Sequence, residues 1–297
     1  MSPPLLSLLG IHHHRHPVES QSPFKAMMTT QAIGNLDHPA LAPYKTMKAQ
    51  HDHHQQGIFV AEGEKIVRRL LETNFTVKSV LLPEKWLESF RPLIEPRPEM
   101  VEVFIAEKEV LERLIGFSMY QGVLAVGVIP APARLEEILE TAPKPRFFVA
   151  VDGLNNSENM GVLVRNCTAF GVQALIQGET SSSPYMRRAV RSSMGTIFRL
   201  PVVETVCLAH TLRALRDLGI HTVAAHPHTD KRYLSQARLD GDCCIVFGSE
   251  GYGLSPEVLA SCDEAVAIPM ANNVDSLNVG SASAVFCYEA ARQRNRA

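Results

Sequence analysis

Glycines and polar side chains follow three apolar segments in the second half of the sequence, and these residue types suit ligand binding. One loop runs from Asp152 to Gly161, a glycine-rich loop from Gly248 to Gly253, and a third, rich in amides, from Pro269 to Asn278. The carboxyl ends of parallel strands meet at one edge of a sheet, so we expect the second and third loops to lie side by side there. This is the edge at which α/β proteins bind ligands.

The glycine-rich loop does not fit the known phosphate-binding patterns. Its order is G-x-x-G-x-G, which reverses the dinucleotide pattern G-x-G-x-x-G, and it lacks the Gly-Lys-Ser/Thr of a P-loop. Three glycines still permit the close approach of a backbone to a flat ligand. An ordinary tight turn is the alternative, and glycine content does not decide between the two.

The third loop gathers hydrogen-bonding side chains just ahead of a predicted helix. Asp275 or Ser276 would be a suitable N-cap for that helix. The first turns of the helix carry only small side chains, Gly280, Ser281, Ala282, Ser283 and Ala284. We therefore predict that another segment of the chain packs closely against them.

Arg165 lies in a predicted helix among apolar neighbours such as Val164 and Phe170. An arginine in this context is either a member of a buried ion pair or a functional group that faces an anion. The sequence pattern leaves both alternatives open.

These loops are set in a regular alternation of predicted strands and helices. Strands are predicted at 147–151, 174–177, 200–203, 221–225, 243–247 and 264–268, and helices at 159–170, 185–193, 207–218, 256–261 and 277–294. Such repeated units predict a parallel sheet with helices on both faces.

The preceding part of the chain predicts a smaller mixed α/β domain. We place it at 31–130, after an aperiodic leader at 1–30 that contains a histidine cluster. Four prolines between 130 and 145 break both helix and strand, so we assign 131–145 to a linker and 146–297 to the second domain. A helix is predicted at 44–50 in the smaller domain.

Composition narrows the class of protein. The 297 residues are 45% hydrophobic and 20% charged, with a formal net charge of -2, so bulk charge alone would not hold the chain on nucleic acid. No apolar run is long enough for a membrane helix, and we expect a cytoplasmic protein. The six cysteines predict reduced core residues. Metal binding is not expected, although His51, Asp52, His53 and His54 superficially resemble ligands.

Taken in order, three motifs resemble those of the SpoU (TrmH-type) RNA ribose 2'-O-methyltransferases of the SPOUT class. They are Asn159-Met-Gly-x-x-x-Arg165 with Ala169-Phe-Gly171, then Phe247 to Ser255, then Ile268-Pro-Met through Ser276-Leu-Asn-Val279. Each motif alone is modest, whereas the three together are highly specific. The 41–130 region is similar to the substrate-binding domain of that family.

The resemblance implies a methyltransferase domain tied in a deep trefoil knot and generally paired as a homodimer through that domain. It also implies the cofactor S-adenosyl-L-methionine, and motif position predicts that six residues contact it: Phe247, Gly248, Gly253, Ile268, Met270 and Leu277. No metal is required, because the reaction is an in-line displacement at a methyl group.

By the same resemblance Arg165 is the catalytic arginine. A guanidinium stays protonated, so we assign it to holding a phosphate and polarising the 2'-oxygen rather than to a simple general base. Four further residues are predicted to orient the ribose, Arg165 and the loops: Asn159, Glu250, Ser276 and Asn278. The alternative for Glu250 is a structural ion pair with Arg165.

RNA is the expected partner, with rRNA favoured over tRNA. The predicted RNA contacts are basic residues on two helices: Arg187, Arg188, Arg191, Lys65 and Arg68. A solvated helical face is the structural alternative. The alternative function is an RNA-binding or assembly protein with a vestigial methyltransferase site. A nucleotide-binding Rossmann enzyme is disfavoured by the order of the glycines.

Overall fold

The computed structural model describes residues 28–34, 37–116, 122–227 and 232–294, which form two β-sheets with helices packed on them. The first sheet contains β1 (Met28–Ala32), β2 (Ile58–Glu62), β3 (Val77–Leu82), β4 (Val101–Ile105) and β5 (Leu124–Val128). The helices of this part are α1 (Ala42–Lys45), α2 (Gln50–Gln55), α3 (Glu64–Leu71), α4 (Leu87–Ile94) and α5 (Lys108–Ile115).

The first sheet is mixed, with the strand order β1-β4-β3-β5-β2. β4 is parallel to both of its neighbours, whereas β5 is antiparallel to β3 and β2. The helix predicted at 44–50 is wrong: α1 and α2 flank a turn instead. Residues 28–30, which the sequence assigns to the leader, belong to β1. Four of the five residues of β1 are exposed, so the strand is held by its backbone hydrogen bonds to β4. The sequence there has no apolar alternation from which a strand could be predicted.

The second sheet is formed by β6 (Phe147–Val151), β7 (Ala174–Gln177), β8 (Val202–Glu204), β9 (His221–Ala225), β10 (Cys243–Phe247) and β11 (Glu264–Val266). Its helices are α6 (Leu135–Thr141), α7 (Ser157–Ala169), α8 (Arg187–Ser192), α9 (Leu208–Asp217), α10 (Pro256–Ala260) and α11 (Val279–Arg294). All neighbouring strands are parallel, in the order β11-β9-β10-β6-β7-β8. The predicted fold class, a parallel-sheet α/β domain after a small mixed one, is confirmed.

Helices cover both faces of the second sheet. Phe147 and Val149 pack in one core with α7, α8 and α11, whereas Phe148 and Ala150 pack in another with α9 and α10. A strand that is buried on both faces has no polar alternation, which explains the continuous apolar runs of β6 and β10 in the sequence.

The two sheets meet at an aromatic seam. Phe59 of β2 packs against Phe198, with ring centroids 5.4 Å apart, and Phe75 also contacts Phe198 at 5.4 Å. Tyr185, which precedes α8, lies 6.1 Å from Phe59 and belongs to the same buried cluster. The seam therefore joins the packing of the first sheet to the helices beside the second.

The structure corrects the expected position of two loops. β10 and β11 are not neighbours, because β9 pairs with both and lies between them. All three strands point the same way, so the loops after β10 and β11 still reach the same edge of the sheet. Strand order is set by pairing across the sheet, and local periodicity does not reveal it.

Some predictions lie outside the described residues. These are the predictions for the leader up to residue 27, with its cluster from His12 to His16. None of the helices in the described ranges is both long and apolar enough to cross a membrane. All six cysteines are free, and Cys167, Cys243, Cys244 and Cys287 are buried.

Candidate active site

A cavity of about 210 Å³ opens at the carboxyl-terminal edge of the second sheet, where β9, β10 and β11 end. All six residues that are predicted to contact the cofactor line it: Phe247, Gly248, Gly253, Ile268, Met270 and Leu277. Glu250 and Ser276 line it as well. The second and third loops of the sequence thus form the walls of one site.

Other lining residues were not predicted. Ala225, His226 and Pro227 at the end of β9 border the cavity, and Ala282 and Phe286 of α11 contribute to its wall. The rings of Phe286 and Phe247 pack edge to face at 5.6 Å. Only the strand order could have predicted that the residues after β9 line the cavity, because the strand between β10 and β11 must also end there.

The glycine-rich loop folds back on itself as a closed hairpin. Ser249 N–H donates to the Gly253 carbonyl at 2.9 Å, and Gly253 N–H donates to the Ser249 carbonyl at 3.0 Å. A Cβ on Gly248 would collide with the backbone of Gly253 and Leu254, and Gly253 itself has φ +68°. The glycines are therefore required by the turn itself, and the same turn borders the cavity.

A buried carboxylate ties the first loop to the end of the glycine-rich loop. The Asp152 carboxylate accepts a hydrogen bond from Ser255 N–H at 2.7 Å, and Asp152 N–H donates to the Phe247 carbonyl at 2.9 Å. Asp152 is only 8% exposed. It therefore fixes both ends of the segment that forms one wall of the cavity.

Side chains from all three predicted motifs meet at Asn278. Its Nδ2 donates to Asn159 Oδ1 at 3.2 Å and to the Glu250 carboxylate. Its Oδ1 accepts from Gly280 N–H at 2.8 Å, so Asn278 caps α11. The expected N-cap at Asp275 or Ser276 and the helix start at Leu277 are wrong, because the helix begins only at Val279.

The small residues at the start of α11 pack against α7, as close packing requires. A Cβ on Gly280 would lie 2.7 Å from Val162 Cγ1. Asn166 Nδ2 donates to the Gly280 carbonyl at 2.7 Å and to Ser283 Oγ at 2.9 Å. The predicted tight neighbour is therefore a helix, and it is the helix that carries Asn159 and Arg165.

Arg165 is exposed on α7 and is not among the residues that line the cavity. The buried ion-pair alternative is thus wrong. Among the described residues no ion pair joins it to Glu250, whose carboxylate accepts from Asn278 instead. Asn156 caps α7 by accepting from the N–H groups of Glu158 and Asn159. A capped, closely packed helix holds Arg165 while leaving its guanidinium in solvent.

The predicted RNA-contacting residues divide into two groups. Arg187 is largely buried in an ion pair with Glu62, and Arg68 binds Glu64 and the backbone carbonyl of Ser89. The exposed members are Lys65, Arg188 and Arg191, the last with Glu62 at 3.7 Å. Arg187 and Arg68 already have structural partners, whereas the other three present charge to solvent.

Comparison with known proteins identifies the family. The model of the SpoU rRNA Methylase family matches residues 146–288. An uncharacterized tRNA/rRNA methyltransferase of Mycobacterium tuberculosis is 31% identical over 245 residues, covering 80% of this chain and 82% of the relative. The 23S rRNA (guanosine-2'-O-)-methyltransferase RlmB of Ralstonia nicotianae is 31% identical over 196 residues, covering 66% of this chain and 78% of RlmB.

Solved structures agree with the sequence relatives. The SpoU methyltransferase AviRb of Streptomyces viridochromogenes superposes with a TM-score of 0.74 at 25% identity, covering 87% of this chain and 98% of AviRb. The same enzyme has been solved in complex with AdoMet. The predicted enzyme class and cofactor are confirmed. The chain belongs to the SpoU rRNA methylase family.

Proposed function

We propose that this protein methylates a ribose 2'-hydroxyl in structured RNA, with rRNA favoured over tRNA. Its class is that of the S-adenosyl-L-methionine-dependent RNA 2'-O-methyltransferases. The observation that carries the proposal is the pair of hydrogen bonds from Asn278 to Asn159 and Glu250. They join one side chain from each of three motifs beside the cavity, which Glu250 lines.

The residues of the cavity suit the adenosine part of the cofactor. Ile268, Leu277 and Phe286 provide apolar contact, and the short side chains of the glycine-rich loop let backbone groups approach a flat ring. The residues that would hold the cofactor are Phe247, Gly248, Gly253, Ile268, Met270 and Leu277. When bound, the cofactor supplies an electrophilic methyl group.

The acceptor side of the reaction is assigned to polar residues around Asn278. Asn159, Glu250, Ser276 and Asn278 orient the ribose, and Arg165 holds a phosphate and polarises the 2'-oxygen. As the 2'-oxygen bonds to the methyl carbon, the bond from that carbon to sulfur would break and the proton of the 2'-hydroxyl would pass to solvent. Because Arg165 does not line the cavity of its own chain, we assign it to the site of a partner subunit.

A homodimer through the second domain is part of the proposal. Tyr288 and Val285 on α11 are 57% and 39% exposed, and the Tyr288 ring packs on Phe170 just after α7. These apolar side chains lie on α11 and at the end of α7, the helix that carries Arg165, and exposed apolar groups mark an interaction surface. A trefoil knot in this domain is likewise proposed, from the resemblance.

We further propose that the two domains have different roles. Residues 31–130, extended by β1, bind the RNA substrate, 131–145 link the domains, and 146–297 carry out methyl transfer. Lys65, Arg188 and Arg191 lie near the seam and contact the RNA backbone. Since ribosomal RNA is the favoured substrate, we place the enzyme in the cytoplasm.

A methyl-transfer assay tests the function. The full chain is incubated with radiolabelled S-adenosyl-L-methionine and either rRNA or tRNA from cells that lack the gene, with Arg165→Ala as the inactive control. We expect transfer to rRNA by the wild type only, and mapping of the modified ribose then gives the site. Cofactor binding without transfer to either RNA would instead support an RNA-binding or assembly protein.

A further inference from the structure

Tyr252 is an aromatic residue with almost no contacts, placed beside the candidate active site. It lies in the turn of the hairpin closed by Ser249 and Gly253, and it lines the cavity while remaining 97% exposed. Its backbone is fixed, because Tyr252 N–H donates to Ser249 Oγ at 3.2 Å. The fold thus fixes the point at which the side chain leaves the backbone, at the edge of the cavity, and leaves the ring itself uncovered.

Packing does not explain this ring. A side chain that is 97% exposed contributes almost no buried apolar area, so the hairpin gains no stability from it. Turns favour glycine and short polar residues, so the turn itself gives no reason for an aromatic one. A tyrosine has only two side-chain torsions, so it offers a large contact surface to a ligand at a small entropic cost.

Tyr252 shares its hairpin with Glu250, and both residues line the cavity. Glu250 stands two residues earlier in the same hairpin and hydrogen-bonds Asn278, and both are assigned above to the acceptor ribose. A nucleobase is covalently attached to the ribose whose 2'-hydroxyl reacts. A base that is unstacked from its RNA must find a new stacking surface near that ribose, and aromatic side chains supply such surfaces in single-stranded RNA recognition.

We infer that the Tyr252 ring stacks on the nucleobase of the nucleotide that is methylated, and so helps to select an unpaired target. The inference rests on the proposed function, because it uses the assignment of Glu250 and Asn278 to the ribose. Two other uses of the ring, stacking on the adenine of the cofactor and burial against a second copy of the chain, are separate outcomes of the test.

The first experiment compares Tyr252→Ala and Tyr252→Phe with the wild type. We expect Tyr252→Ala to lower kcat/KM for rRNA by about 5- to 150-fold and Tyr252→Phe to stay near the wild-type value, because only the ring is needed. The Kd for S-adenosyl-L-methionine, measured by calorimetry, and the sedimentation coefficient should be unchanged. Val206→Ala is the matched control, since Val206 is 96% exposed and does not line the cavity.

A fluorescent reporter gives a readout that is independent of activity. Trp86 is the only tryptophan, so Tyr252→Trp in a Trp86→Phe background places a single indole at the edge of the cavity. We expect rRNA to quench it and the cofactor alone to leave it unchanged. Val206→Trp in the same background should respond to neither.

Four results would overturn the inference: full activity of Tyr252→Ala, a matching loss of cofactor affinity, dissociation of an oligomer, or quenching by the cofactor alone. If the wild type transfers no methyl group to either RNA, the proposed function itself fails. The reporter then decides by itself whether Tyr252 contacts RNA.

Discussion

The amide of Asn278 donates to Asn159 Oδ1 at 3.2 Å, across 119 positions of sequence. The same amide nitrogen donates to Glu250, and the amide oxygen accepts from Gly280 N–H at 2.8 Å. One side chain therefore caps α11 and joins the residues of three loops. Capping and site assembly are coupled, because a change at Asn278 affects both.

Substitutions at Asn278 should separate these two roles. Asn278→Ala removes the cap and both donated hydrogen bonds, so we expect a loss of about 0.5–2 kcal/mol in unfolding free energy and a fall in kcat of about 100-fold. Asn278→Asp keeps an oxygen for Gly280 N–H but places a second carboxylate beside Glu250. It should retain more stability than the alanine variant and be equally inactive.

Urea denaturation and kcat at saturating cofactor check these expectations. Wild-type kcat in Asn278→Ala would show that the three-loop contact does not matter for catalysis. Equal stability of the two variants would contradict the expectation that the retained cap outweighs the repulsion between the two carboxylates.

Asp152 should control cofactor affinity through the glycine-rich loop. Asp152→Ala removes the acceptor of the Ser255 N–H group in a partly buried contact, so we expect a loss of about 0.5–1.5 kcal/mol in unfolding free energy. The loop then loses its fixed end, and the Kd for S-adenosyl-L-methionine should rise. Asp152→Asn keeps an acceptor oxygen and should lie between the wild type and the alanine variant. Calorimetric titration with the cofactor measures the Kd of the three proteins. Equal Kd values for Asp152→Asn and Asp152→Ala would contradict the expected order.

The elements that sequence predicts best are those whose local pattern already contains the cause of their structure. β6, β7, β9 and β10 have the predicted bounds, and β6 and β10 have them because each is a continuous apolar run between turn residues. The six predicted cofactor residues also reach one cavity, since loops at the carboxyl ends of parallel strands converge.

Features that depend on distant contacts could not be predicted in this way. The position of β9 between β10 and β11 arises from pairing, and the start of α11 depends on Asn278 capping it while Gly280 packs on Val162. The small residues of α11 predicted a close neighbour, yet only the structure identifies α7. Likewise, charge alone did not distinguish Arg187, which is held by Glu62, from the exposed Arg188 beside it.

That pair of arginines provides a matched test of RNA binding. Arg188→Ala removes a solvent-exposed charge, so it should weaken rRNA binding and reduce the slope of log Kd against log salt by about one. Its unfolding free energy should stay within about 0.5 kcal/mol of the wild type. Arg187→Ala leaves the largely buried Glu62 carboxylate without its main partner, so it should lose about 1–3 kcal/mol of stability. Filter binding at several salt concentrations measures the salt slope, and urea denaturation measures the unfolding free energy. A stability loss in Arg188→Ala together with an RNA-binding loss only in Arg187→Ala would contradict the two assigned roles.

Asp263 should make stability depend on pH at the edge of the second sheet. Burial opposes its ionisation, but hydrogen bonds from Thr222 N–H, Thr222 Oγ1 and Arg216 outweigh burial and lower the pKa of the carboxyl below its ordinary value of 3.8. A lowered folded-state pKa means that the stabilisation is complete above the unfolded-state pKa and is lost as the pH falls through the folded-state pKa. Asp263→Asn should therefore be less stable than the wild type at pH 7.

The stability difference between wild type and Asp263→Asn should begin to shrink below about pH 4, where the unfolded chain takes up the proton, and should be lost once the folded-state carboxyl is also protonated and resembles the amide. Urea denaturation of both proteins at pH 7, 5 and 3 measures it, and comparing the pair cancels the titration of other groups. We expect the same difference at pH 7 and pH 5, because the carboxyl is ionised in both the folded and the unfolded state at each. A difference that does not change down to pH 3 would mean that packing, rather than the ionised carboxylate, stabilises the contact between β9 and the start of β11.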